Sequence, residues 1–133
     1  MNEIQVAAGL IFNDQGQVLL AQRAEPEFLK GLWEFPGGKI EDGEQPETTL
    51  HREIWEELEI KIAIEFLIGE FSDTYKGRTV RILAYVCKAL TTDFKVIDHL
   101  DVRWVTPEDL KNYQLVPADK PIFPALITLK KPK

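Results

Sequence analysis

The sequence predicts an α+β fold in which a mixed, largely antiparallel sheet lies between helices. Two observations carry that expectation. Hairpin signals occur at Asn13-Asp14-Gln15-Gly16 and at Lys76-Gly77-Arg78, each between apolar runs, and hairpins demand antiparallel pairs. Helical segments fall around these hairpins without regular alternation, which does not suit a doubly wound parallel sheet. The size agrees. A chain of 133 residues, 44% hydrophobic and 29% charged, can bury one core without a disulfide or a structural metal, so one domain over 1–133 is expected.

The elements follow in order. Residues 4–12 and 17–23 form the first hairpin, and 24–32 read as loop. Trp33-Glu34-Phe35 is a short extended piece that Pro36-Gly37-Gly38 should break, with loop again over 39–44. Residues 45–58 give the strongest helix signal, because Pro46 and Glu47 suit a first turn. Leu50, Ile54 and Leu58 then share an arc of roughly 80° and should pack on the sheet. Residues 62–75 and 79–90 flank the second hairpin. Residues 102–106 form another strand, and Thr106 is placed to cap a short helix opened by Pro107. A last helix is expected from about Asp119 to Leu129. Trp33 and Trp104 read as core, and Cys87 as a buried small hydrophobe.

Composition limits the partners. With 16 basic and 22 acidic residues the net charge is −6, which disfavours a general surface for a nucleic-acid polymer. One cysteine excludes an internal disulfide and a multi-cysteine zinc site. No apolar run approaches the ~18 residues of a membrane span, and the N-terminus lacks a basic start before its apolar stretch. A cytoplasmic protein without membrane contact is therefore expected, as a monomer or a homodimer. A small polyanion would need a local basic cluster or a metal ion.

The strongest helix carries the chemistry. With Arg52 set at zero on a helical wheel, Glu56 falls near 40°, Glu53 near 100° and Glu57 near 140°. Three carboxylates share one band beside the apolar stripe, where like charges repel. Arg52 offsets one charge, and a divalent ion would offset the rest. The sequence places no histidine or cysteine beside them, and an all-oxygen set selects Mg²⁺, with Mn²⁺ able to substitute. An E-x-x-E-E cluster alone is more often a solvated face. The Gly37-Gly38 pair upstream changes that reading, because two glycines allow unusual backbone and a close approach of carbonyls to a ligand.

The residues Gly38-x5-Glu44-x7-Arg52-Glu53-Ile54-x-Glu56-Glu57-x-x-Ile60 resemble the Nudix box. They depart from it at Glu59, where the family usually has a glycine suited to a left-handed helix end. Trp33 through Glu41, Ala21-Gln22-Arg23 and Trp104 resemble MutT-type members. Pro117-Ala118-Asp119-Lys120-Pro121 resembles the P-A-D-x-P segment of bacterial CTP pyrophosphohydrolases, where MutT proper has asparagine.

The resemblance implies a Nudix α/β/α sandwich and a Mg²⁺-dependent hydrolase that converts a nucleoside triphosphate to the monophosphate and pyrophosphate. It implies Glu53, Glu56, Glu57 and the Gly37 carbonyl as metal ligands, with Arg52 and Glu44 orienting them. Glu53 is the first candidate for general base. Asp98 is the second, and also a metal ligand, since MutT-like proteins carry a metal-binding glutamate in that segment. Arg23 and Lys39 are candidates for phosphate contacts, and Glu34 and Phe35 for the substrate pocket. Phe28, Tyr75 and Arg78 are candidates for base stacking, Arg78 also for a phosphate.

Asp119 reads either as an N-cap of the last helix or as an acceptor for a base. Cytosine N4 and the N1–H and N2–H of guanine or its 8-oxo form are all suitable donors. The P-A-D-x-P match tilts the expectation toward CTP, dCTP or damaged nucleotides. The alternatives are 8-oxo-dGTP hydrolysis in mutation avoidance, a DNA-repair role, or a nucleotide-sensing module without turnover. An acidic protein-interaction domain is the third class.

Overall fold

Alternation along the first strand sets the layers. In the computed structural model, which describes residues 3–75 and 77–130, β1 spans Glu3–Phe12. Ala7 and Ile11 point into one buried cluster, while Ala8 and Leu10 point into another on the opposite face. β2 (Val18–Gln22) repeats the pattern, with Leu19 and Ala21 on the first side and Val18 and Leu20 on the second. A strand apolar on both faces must be covered on both faces. Leu50, Ile54 and Leu58 of α1 (Pro46–Leu58) cover the first. Ile122 and Leu126 of α2 (Ile122–Lys130) cover the second.

The remaining strands are β3 (Trp33–Glu34), β4 (Gly37–Lys39), β5 (Ile62–Tyr75), β6 (Arg78–Ala89) and β7 (Asp101–Val105). The sheet runs β3-β2-β1-β6-β5, with β4 added to β1 and β7 to β2. β1 and β6 are parallel from Glu3↔Thr79 to Phe12↔Lys88. The other strand pairs are antiparallel, so the expected mixed, largely antiparallel sheet between helices is observed. No described helix is long and apolar enough to cross a membrane.

β1–β2 and β5–β6 are the two expected antiparallel pairs, with Lys76 of the second turn outside the described residues. Thr106 Oγ1 accepts the Asp109 N–H at 3.3 Å as the cap of a 3-10 turn over Pro107–Asn112. Cys87 is buried, and burial pushes its thiol up to about 12. Two expectations need correction. Gly37-Gly38 does not break the chain but forms β4, in register with Ala8 and Ala7 of β1. The last helix begins at Ile122, and Pro117–Asp119 is a separate 3-10 turn. Asp119 does not cap that helix. Its Oδ2 accepts the Phe35 N–H at 2.8 Å, across the fold.

Glu59 follows α1 at φ 54° and ψ 41°, a left-handed residue whose N–H bonds to the Trp55 carbonyl at 2.9 Å. A side chain there costs about 1–2 kcal/mol. The Glu59 carboxylate reaches Lys95 Nζ at 3.2 Å in an exposed pair, which returns little. Glu59→Gly is therefore expected to raise stability by about 0.5–1 kcal/mol, after the larger chain entropy of glycine is counted. Thermal denaturation at fixed pH checks it.

Candidate active site

The acidic band of α1 is organised by Arg52. Its Nε and Nη2 grip Glu44 Oε2 and Oε1 at 2.8 and 2.9 Å. Its Nη1 reaches Glu53 Oε2 at 3.0 Å and Glu56 Oε1 at 3.3 Å. Glu44 also accepts from Thr49 Oγ1 at 2.7 Å and from the Glu41 N–H at 3.1 Å. The Arg52 and Thr49 hydrogen bonds hold its carboxyl down at about 2. Glu44 and Arg52 thus form an ionic brace beneath the helix start.

Glu53 and Glu57 face inward. A Cβ built at Gly38 would overlap Glu53 Cδ and Oε1, so the absent side chain of Gly38 is the space Glu53 occupies. Gly37 is glycine for a different reason: a Cβ there would overlap the Ala7 carbonyl and the Ala8 backbone. Neither residue has a positive φ, since the positive-φ glycines are Gly16, Gly31, Gly43 and Gly77. The pair serves close approach rather than unusual backbone. Gly38→Ala is expected to leave the sheet intact and displace Glu53, lowering kcat about 100-fold, with a loss of about 1–3 kcal/mol from overpacking. Steady-state kinetics beside a thermal melt separate the two effects.

Glu57 is the strained member. Burial, then its hydrogen bond to Glu53 and the charge of Glu34, push its carboxyl up to about 9. Its Oε1 is buried without a hydrogen-bond partner. Next to it stands a residue the sequence reading missed. His99 Nε2 lies 3.0 Å from Glu34 Oε2 and 3.9 Å from Glu57 Oε1, so a histidine does stand beside the acids. The band's periodicity could not show this, because His99 comes from a loop more than forty residues further on. The one hint was its neighbour Asp98, which the structure places exposed on the rim of the same cavity.

Two cavities adjoin here. One, of about 500 Å³, is lined by Glu53, Glu57, Asp98 and His99. The other, of about 470 Å³, is largely apolar, with Val6, Ala8, Val80 and Ile82 as its sheet floor. Phe35, the exposed Phe28 and the buried Asp119 also line it. Arg23, Glu34, Gly37 and Gly38 line both. Arg23 Nη1 bonds Glu34 Oε1 at 2.8 Å.

Trp33 accounts for the position of Asp119. Its N–H bonds to the Gln114 carbonyl, and its carbonyl accepts the Val116 N–H. Residues 117–119 are thereby laid against Phe35, and burial pushes the Asp119 carboxyl up to about 8.

Lys39 is exposed at the apolar cavity. Arg78 is exposed at the start of β6 and lines neither cavity. The Tyr75 side chain lies outside the described residues. Asp73, Leu29 and Leu32 line the apolar cavity and carried no sequence signal, because isolated pocket residues follow no period.

Among the described residues no three acid, histidine or cysteine side chains already converge as a metal cage. The donors nevertheless fit a hard divalent cation. They are carboxylate oxygens: those of Glu53 and Glu56 are held by one cation, Arg52, and Glu57 Oε1 beside them is buried with its hydrogen-bonding capacity unmet.

The profile described as "NUDIX domain" matches residues 3–126. The chain belongs to the Nudix family. It is a hydrolase of phosphoanhydrides, and membership implies a divalent-metal-dependent mechanism. The CTP pyrophosphohydrolase of Escherichia coli (strain K12) is 34% identical over 130 residues, covering 98% of this chain and 96% of the relative. The 8-oxo-dGTP diphosphatase of Haemophilus influenzae is 33% identical over 124 residues, covering 93% and 91%. The solution structure of the E. coli ORF135 protein superposes with a TM-score of 0.85 at 33% identity, covering 98% of this chain and 92% of that one. These likenesses span the Nudix fold nearly end to end.

Proposed function

We propose that this Nudix hydrolase cleaves nucleoside triphosphates to the monophosphate and pyrophosphate with Mg²⁺, and that oxidised purine nucleotides such as 8-oxo-dGTP are its preferred substrates. The joined cavities carry the reading. An acid-lined chamber suited to cation and phosphate shares Arg23, Glu34, Gly37 and Gly38 with an apolar one suited to a base. Glu53, Glu56, Glu57 and the Gly37 carbonyl would hold the cation, with Asp98 at the rim. A divalent ion bound there supplies neutralisation of the phosphate charge and a more acidic water. Glu53 accepts the proton of the attacking water, Arg52 and Glu44 orient the acids, and Arg23 and Lys39 bring positive charge to the phosphates. Phe35 and Phe28 line the base, and Asp119 accepts its donors. Asp119 Oδ2 already accepts the Phe35 N–H, so Oδ1 is the oxygen offered to the adjacent N1–H and N2–H of guanine, which the 8-oxo form retains.

Among the relatives the 8-oxo-dGTP diphosphatase name recurs, which weighs against the tilt toward CTP that P-A-D-x-P suggested. The second reading, CTP or dCTP, is favoured by the E. coli CTP pyrophosphohydrolase, whose likeness covers 98% of this chain. Pyrophosphate release with Mg²⁺, compared as kcat/KM for 8-oxo-dGTP, dGTP, CTP and dCTP, tests both. A margin of about tenfold or more for 8-oxo-dGTP over the others is expected. The reverse margin for CTP establishes the second reading, and nucleotide binding without product establishes a sensing module.

A further inference from the structure

We propose that His99 is a positioning residue that fixes Glu57 and Glu34 relative to each other and so ties the base cavity to the acidic band. Its backbone is anchored next door, where the Leu100 N–H bonds to the Gln22 carbonyl at 2.9 Å. Its side chain is only 8% exposed. Nε2 faces Glu34 Oε2 at 3.0 Å, and Nδ1 is buried without a partner. This environment selects the tautomer. A neutral ring with its proton on Nδ1 would bury an unmet N–H and set the Nε2 lone pair against a carboxylate. The proton therefore sits on Nε2, and the ring donates to Glu34.

Glu34 is held on its other oxygen by Arg23 Nη1 at 2.8 Å, and Arg23 Nε donates to the Glu25 carbonyl at 2.8 Å. The chain Arg23–Glu34–His99 thus reaches from the base cavity to within 3.9 Å of Glu57 Oε1. Glu57 has no hydrogen bond of its own at that oxygen. The imidazole packed beside it limits where the carboxylate can swing. Groups hydrogen-bonded to a metal ligand change metal affinity or activity about 10- to 100-fold when removed; His99 restrains Glu57 by packing and through Glu34, so an effect at the lower end of that range is expected.

The proposal rests on the reading of these acids as a cation site, and the test separates the two. Mn²⁺ binding to the nucleotide-free protein is measured by the EPR signal of free Mn²⁺, alongside kcat and KM for 8-oxo-dGTP with Mg²⁺. His99→Leu is expected to weaken Mn²⁺ binding at least tenfold and to lower kcat by a similar factor, with KM changed less than about threefold. His99→Gln, whose amide nitrogen can occupy the Nε2 position, should recover Mn²⁺ affinity to within about threefold of the wild type. Wild-type affinity in His99→Leu, or His99→Gln as weak as His99→Leu, overturns the proposal. Should His99→Leu not fold, His99→Asn takes its place. Its amide falls short of Glu34, so weak Mn²⁺ binding is expected, and affinity equal to that of His99→Gln overturns the proposal. A wild-type protein that binds no Mn²⁺ fails the cation-site reading itself.

Discussion

Glu57→Gln is expected to abolish turnover and, in the same protein, to raise the melting temperature of the metal-free enzyme at pH 8. The two effects share one cause. Glu57 is a carboxyl pressed into a buried corner beside Glu53 and Glu34, with one oxygen unmet and its pKa pushed up to about 9. In the unfolded chain the same group titrates near 4.3. The folded state therefore binds the proton more tightly. The stability this contributes is full below the unfolded value and is lost as pH rises toward 9. Asp119, pushed up to about 8, acts in the same direction. The metal-free wild type should thus lose stability from about pH 5 to pH 9. Glutamine carries no charge to desolvate. The variant should show a shallower decline and, at pH 8, a gain of about 1–2 kcal/mol, seen as several degrees in Tm.

Added Mg²⁺ should raise the Tm of the wild type at pH 8 and that of Glu57→Gln much less, since a ligand stabilises only the state that binds it. Loss of activity should reach about 10³-fold or more. Parallel pH–stability curves for the two proteins would remove the stored-strain account of Glu57. Retained activity would remove it from the site.

The parts of this molecule that were legible in the sequence are those set by period and turn chemistry. The stripe of Leu50, Ile54 and Leu58 is fully buried, and it orients α1 so that Glu53 of the acidic band packs against Gly38 of β4 while Glu56 stays exposed. The left-handed end at Glu59 was legible from the missing glycine and is observed at φ 54°. What stayed hidden depends on contacts between distant segments. Gly37 and Gly38 signal freedom in a sequence, but freedom to turn and freedom to be approached look alike until β1 and Glu53 are in place. His99 lies 65 residues from Glu34, and no local pattern relates them. Asp119 looks like a helix cap because Pro121 follows it; its hydrogen bond to Phe35 spans 84 residues, and that longer contact wins.

Replacing Arg52 by lysine is expected to cost more than the conservation of charge suggests, lowering kcat/KM about 100-fold. Arg52 hydrogen-bonds three acids at once: two oxygens of Glu44, one of Glu53 and one of Glu56. That needs a planar fork, and an ammonium on a flexible stem presents a single point of charge instead. In Arg52→Lys the ion keeps one partner, and Glu53 is released from the brace that sets its distance from Gly38.

Glu44→Gln isolates the other half of the brace. The charge on Arg52 remains, and it is free to settle more firmly on Glu53 and Glu56, in competition with a metal. Both variants should therefore reduce the acid sensitivity that Glu44 gives the wild type. The wild type should lose stability as pH falls from the ordinary carboxylate range toward 2, because Glu44 is ionised in the fold down to about 2 and must then take up its proton. Glu44→Gln should be flat over that window, and Arg52→Lys flatter than the wild type, because the folded value of Glu44 moves back toward the unfolded one and the difference in proton uptake between the two states shrinks. Kinetics at saturating Mg²⁺ with acid titrations followed by tryptophan fluorescence checks both. If Arg52→Lys retains wild-type kcat/KM, the acids are positioned by the helix alone and the brace serves stability only.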